Sequence, residues 1–167
     1  DYSDVLSSLI TPPYDVISPK EQEFFYNLHP CNIIRLVLGR QYDKDTTSDN
    51  RYTRAGVTLN KWMLEKTLVR KQKPCFAIYQ MDFEEPQGSR RRLDGLIGLV
   101  KVEDYGVSKV LPHEKTYSGP KKDQLELLRA CKANFTPIQA MFDDPDDVLG
   151  KLHSSILASK PDQEAVD

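Results

Sequence analysis

The sequence predicts an α+β fold: a mixed sheet containing an antiparallel hairpin at about residues 75–103, packed by several helices. Three observations lead there. Cys75 to Phe83 alternates and is rich in aromatics, Leu93 to Val102 is a second apolar run, and Pro86 and Gly88 mark a turn between them, which is the pattern of a hairpin. Between Asn50 and about Lys66, Ala55, Leu59, Trp62 and Met63 recur at helical spacing. Strands and helices then mix along the chain, without the regular alternation of a doubly wound parallel sheet.

The elements follow in order. Residues 1–13 read as extended coil, because Pro12 and Pro13 forbid a helix there. Ser18 is an N-cap, Pro19 suits the first helical position, and Glu21 adds an acidic first turn, so a short helix runs to about Leu28, before Pro30. Asn32 to Leu38 is apolar and β-branched with one charge, Arg35, and reads as a buried strand. Gln41 to Asn50 is a polar loop. After the hairpin come a helix over Pro120 to about Lys132, a strand over Thr136–Phe142 and a helix over Pro145 to about Leu157. Trp62, Phe76, Tyr79 and Phe83 are expected in the core. At 167 residues the chain suits one domain over 1–158, with 159–167 as a polar tail or linker.

Composition excludes several classes. Lys and Arg number 23 against 25 Asp and Glu, so the dense basic face of a nucleic-acid binder is missing. The run Arg90-Arg91-Arg92 is local and offset by Asp82, Glu84, Glu85 and Asp94, as on a solvated hairpin turn. Three scattered cysteines, Cys31, Cys75 and Cys131, argue against a disulfide framework and suggest buried free thiols in a reducing compartment. No apolar run approaches the roughly 20 residues needed to span a bilayer. The first residues, Asp1-Tyr2-Ser3-Asp4, lack the basic start of a signal peptide, and the absence of an initial Met suggests a trimmed piece of a longer chain. A cytoplasmic location and no membrane partner are the expectations.

Chemistry concentrates between Leu111 and Arg129. His113, Glu114, Lys115 and Thr116 crowd a loop that leads to a helix opened by Pro120. Lys121 and Lys122 then place two positive charges where the helix dipole is already positive, and Asp123 offsets only part of them. Either these are ordinary surface lysines, or the turn receives an anion such as phosphate. Arg129 lies two turns on and extends the basic stripe. No glycine-rich phosphate loop occurs. A carboxylate beside an imidazole supplies a general base, and Glu114 is the better candidate, with His113 beside it. No metal site is expected, because the residue four after His113 is Tyr117 rather than a second His. Arg35 on a buried strand calls for either a structural carboxylate partner or an anion ligand. Tyr14 and Asp15, fixed by the preceding prolines, form a turn or contact a substrate.

These residues fall into blocks. They are Thr11-Pro-Pro-Tyr-Asp-Val-Ile-Ser18, Asn32-Ile-Ile-Arg-Leu36, Trp62, Gly95-Leu-Ile-Gly98 with Glu103-Asp104-Tyr105, and Leu111-Pro-His-Glu-Lys-Thr116. The last continues through Pro120-Lys121, Asp123, Leu125, Leu127-Leu128-Arg129, Ala133-Asn134 and Pro137-Ile138. Together they resemble the N-terminal half of the microbial domain-of-unknown-function family DUF1015. Gln124 stands where that family usually has Arg, and Cys131 where it usually has Thr. Longer members carry a downstream Asp-Gly-His-His-Arg motif similar to one that holds nucleotide phosphates in free-serine kinases of the ParB/sulfiredoxin-like superfamily. Here Gly150 is followed by Lys151-Leu152-His153. The resemblance implies half of a small-molecule phosphotransferase with a hydroxyl acceptor such as serine, using ATP or ADP with Mg. A non-catalytic binding or regulatory module is the alternative.

Overall fold

The computed structural model describes residues 5–104, 110–111 and 118–157. His113, Glu114, Lys115 and Thr116 therefore lie outside the described residues, as does the 159–167 tail. The α+β class holds, and the sheet among the described residues is a two-stranded antiparallel one rather than a larger mixed sheet. The described residues fall into two compact units.

The first unit takes its described residues from 5–69 and 118–140 and is helical. Its elements are α1 (Leu6–Leu9), a 3-10 turn (Tyr14–Val16), α2 (Pro19–Leu28), α3 (Ile34–Val37), α4 (Arg51–Leu64) and α5 (Ser118–Cys131). Helix α2 starts as its sequence dictates. The Ser18 hydroxyl accepts the Glu21 N–H, and the Glu21 carboxylate accepts the Ser18 N–H at 2.8 Å. That carboxyl is held below its usual range by the Ser18 hydrogen bonds. Helix α4 starts on Asn50, whose side chain accepts the N–H groups of Tyr52 and Thr53 at 3.0 and 3.2 Å.

The expected strand at 32–38 is a helical turn instead. The Asn32 Oδ1 accepts the Ile34 N–H at 2.9 Å, which fixes the first step of a helix, and the Leu38 N–H closes it on the Ile34 carbonyl. Local capping outweighs the β-propensity of two isoleucines, and Ile34 and Leu36 are buried all the same. Leu36, Ala55, Trp62 and Leu127 form the core, with Leu59, Cys131 and Phe135 packed around it. Helices α4 and α5 approach closely, since a Cβ on Gly56 would stand 3.0 Å from the Ala130 carbonyl oxygen.

The second unit holds β1 (Ala77–Glu84), β2 (Arg90–Ile97) and α6 (Val148–Leu157). Gly88, at φ 82°, makes the turn that joins the strands. The register pairs Asp82 with Arg92 and Gln80 with Asp94, and both pairs interact through their side chains. Strand β2 therefore starts at Arg90 rather than Leu93, because the arginines meet acids across the ladder instead of lying in the turn. Arg91 pairs with Glu85. Asp144 caps α6 by accepting the N–H groups of Val148 and Leu149, so that helix starts later than Pro145. Asp94 also lies 3.3 Å from the Nε2 of His153 on α6, without hydrogen-bond alignment.

Three further expectations change. Thr136–Phe142 forms no strand among the described residues, and Ile138, Met141 and Phe142 are exposed. Phe76, Tyr79 and Phe83 are exposed rather than core, because a two-stranded ribbon has too little surface to bury them. Cys75 is exposed, while Cys31 and Cys131 are half-buried, and all three are free thiols. No helix among the described residues is long and apolar enough to cross a membrane.

Candidate functional site

Helix α5 begins at Ser118, so Pro120 sits inside its first turn rather than opening it. The turn contains no acidic residue. Lys121 and Lys122 are exposed, and a Cβ added at Gly119 would meet nothing within 4 Å. Among the described residues nothing covers Lys121 and Lys122, and their ammonium charges add to the positive end of the helix dipole.

Asp123, the nearest acid in sequence, turns the other way. Its Oδ1 accepts the Tyr52 hydroxyl at 2.7 Å and an Nη2–H of Arg51. Arg51 also donates to the Tyr52 hydroxyl at 2.8 Å. The three side chains tie the first turn of α4 to α5 beside a cavity of about 10 Å³, bordered by Leu36, Gly39 and Leu127. That is room for one water at most. Burial pushes the Tyr52 phenol upward, so it stays protonated as a donor.

Helix α4 offers an internal comparison. It too carries cations in its first turn and no acid, with Arg51 first and Arg54 fourth. Both find carboxylates. Arg54 donates to both oxygens of Asp45, at 2.7 and 2.9 Å, and to Asp49 at 2.8 Å. These bonds raise its pKa further and hold the Asp45 carboxyl below its ordinary range. An open concavity of about 440 Å³ beside Tyr42, Lys44 and Arg54 is therefore already neutralised from within. Lys121 and Lys122 have no such partner among the described residues.

The remaining candidates separate. Arg35 meets no carboxylate among the described residues, and its guanidinium is turned to backbone carbonyls. Its guanidinium donates to the carbonyls of Tyr26 and His29, at 2.7 and 2.9 Å, and lies 4.7 Å from the Tyr26 ring centroid. It closes the C-terminal end of α2, a place that favours a cation. Once 32–38 is a helical turn, those carbonyls are the partners it meets. Arg129 pairs with Glu126 at 2.8 Å, one turn back on the same helix, so its charge is compensated rather than added to the basic stripe. Tyr14 is half-buried and Asp15 exposed in the 3-10 turn, which the Val16 N–H closes on the Pro13 carbonyl at 3.2 Å. No group of three or more His, Cys, Asp or Glu among the described residues is placed to hold a metal ion.

Arg51 and Tyr52 were not candidates from sequence. The signal was present, because an Arg directly after an Asn N-cap opposes the helix dipole and calls for an acid elsewhere. What sequence cannot show is that this acid lies in α5.

No curated protein and no solved structure matches the chain. A family model does, that of a protein of unknown function, DUF1015, over residues 1–167. The chain belongs to the DUF1015 family.

Proposed function

We propose that the chain supplies the phosphate-binding half of a small-molecule phosphotransferase that acts on a hydroxyl compound, with serine as the first candidate. One observation supports this reading above the others: the start of α5 carries two exposed lysines that meet no carboxylate among the described residues, while the neighbouring Asp123 is bound by Arg51 and Tyr52. Phosphoryl transfer needs charge neutralisation and positioning more than covalent chemistry from the protein. The ammonium groups of Lys121 and Lys122 and the N–H of Gly119 fit a phosphate through opposite charge and hydrogen bonding, while Pro120 has no N–H to offer. ATP or ADP with Mg would supply the phosphoryl group. Glu114 is the proposed acceptor of the substrate hydroxyl proton, with His113 beside it, and Lys115 and Thr116 extend the phosphate contacts. Tyr14 and Asp15 are the proposed substrate side of the site.

Titration with inorganic phosphate, followed by amide NMR, tests the anion half. Shifts should centre on the amides of Gly119, Lys121 and Lys122 at millimolar phosphate. Shifts confined to other regions, or none, would remove the supporting observation. Incubation of the intact protein with ATP or ADP and a panel of small hydroxyl compounds tests the transfer. A protein that binds phosphate yet phosphorylates nothing in the panel would instead be a module that senses a phosphorylated metabolite. That second reading needs only the turn of α5 and no base.

A further inference from the structure

Asn32 is a fully buried polar side chain, at 0% exposure, in a core otherwise made of apolar groups. Both polar atoms of its carboxamide are bonded. Nδ2 donates to the Ser8 and Ile10 carbonyls at 2.8 and 3.1 Å, and Oδ1 accepts the Ile34 N–H at 2.9 Å. The two carbonyls and the one N–H leave the orientation of the amide no choice. Next to it, the Ile33 N–H donates to the Leu9 carbonyl at 2.7 Å. Residues 8–10 are therefore stitched to the start of α3 at three consecutive positions.

That stitch has a direction. Ile10 is followed by Thr11, Pro12 and Pro13, where the proline rings fix φ and the chain has few ways to bend. Pro13 holds φ −52° and ψ 136° and leads into the turn that presents Tyr14 and Asp15. A stiff spacer transmits the position of its anchored end. Leucine at position 32 would fill the space but take the Asn32 side chain away from two half-buried carbonyls and one buried N–H. Aspartate would keep the bond to Ile34 and set a carboxylate against the two carbonyls. The amide alone meets all three demands.

We infer that Asn32 is a positioning residue: through Ile10 and the Pro12-Pro13 spacer it sets where Tyr14 and Asp15 stand for the acceptor substrate. The substrate half of this inference rests on the phosphotransferase reading. The mechanical half does not.

Native-state hydrogen exchange on the intact chain, with Asn32→Asp and Asn32→Ser, tests the mechanical half. Amides of Ile33, which donates to Leu9, and of Val16 should exchange about tenfold faster in both variants, on the order of one lost hydrogen bond. Amides of α4 from Ala55 to Trp62 should keep their protection. If neither variant folds, the wild-type Asn32 side-chain protons decide. They should exchange as slowly as the Ile33 amide, and exchange as fast as that of a surface asparagine would overturn the anchor. Unchanged rates at Val16 would overturn the transmission. Turnover tests the substrate half: KM for the hydroxyl acceptor should rise about tenfold, with kcat and the nucleotide KM within about twofold. A loosened turn with an unmoved acceptor KM would overturn the positioning role and leave the phosphotransferase reading intact. A wild-type protein that phosphorylates no acceptor would overturn that reading, and the substrate half with it.

Discussion

Removing the Asp123 carboxylate should uncouple α4 from α5, and a double-mutant cycle with Tyr52 measures by how much. Tyr52→Phe deletes one hydroxyl that donates to the carboxylate at 2.7 Å. A neutral donor on a charged acceptor in a half-buried place contributes about 1 kcal/mol. Asp123→Ala deletes both bonds and leaves the Arg51 guanidinium without its acid. Arg51 and Asp123 are 27% and 17% exposed at their side chains, so water recovers part of the loss, and about 2 kcal/mol is expected. The two changes should not add. Once the carboxylate is gone, the hydroxyl has nothing left to donate to there, so the double variant should lose about 2 rather than about 3 kcal/mol, a coupling of about 1 kcal/mol. Trp62 is the only tryptophan and lies in the core of the helical unit, so its emission during urea unfolding reports on that unit alone. Additivity within about 0.3 kcal/mol, or a neutral Tyr52→Phe, would refute the tie.

Gly56→Val should destabilise the helical unit by about 1–3 kcal/mol in the same assay, because its side chain meets the Ala130 carbonyl where even a Cβ would stand at 3.0 Å. Asp45 titrates below its ordinary value of 3.8, chiefly through its hydrogen bond to Arg54, so its contribution is present above that value and is lost as pH falls through the lower folded one. Asp45→Asn should accordingly flatten the acid limb of the stability profile in that window, and an identical limb in wild type and variant would count against the pairing. Without reductant, intact mass should show no loss of two hydrogens; alkylation near pH 8 should reach Cys75 first and Cys131 later, because burial raises the Cys131 thiol, and equal rates would contradict the burial. On the proposed phosphotransferase function, Glu114→Gln should cut kcat about 10²–10⁴-fold with nucleotide affinity nearly unchanged, whereas Lys121→Ala should weaken phosphate binding; an unchanged rate in the first would remove Glu114 as base.

Local chemistry was legible in the sequence, and partnership across distance was not. Ser18, Pro19 and Glu21 announced α2 because every atom of that cap lies within four residues. The spacing of Ala55, Leu59 and Trp62 announced α4, because the face it buries repeats along the chain. Asn32 misled, since its β-branched neighbours suggested a strand while its own side chain made the helical cap. Arg35 showed that it needed a partner but not that two carbonyls would serve. At the candidate site, the surplus charge of Lys121 and Lys122 could be read directly. The diversion of Asp123 to Arg51 and Tyr52 could not, because about 70 residues separate them and no periodicity spans such a gap.

The helical unit is assembled from two stretches of chain, with the hairpin between them. Helix α5 must find α4 across the roughly 50 residues from Leu64 to Ser118, and closing a loop of that length costs on the order of 3–4 kcal/mol of chain entropy before any contact forms. Folding of this unit should therefore be limited by that search rather than by helix formation, which takes microseconds. During synthesis, α4 emerges with the core face around Trp62 uncovered, and stays so until Leu127 has been made. A chain that stalls between those points exposes the apolar face of α4, and that interval is when a chaperone has something to hold.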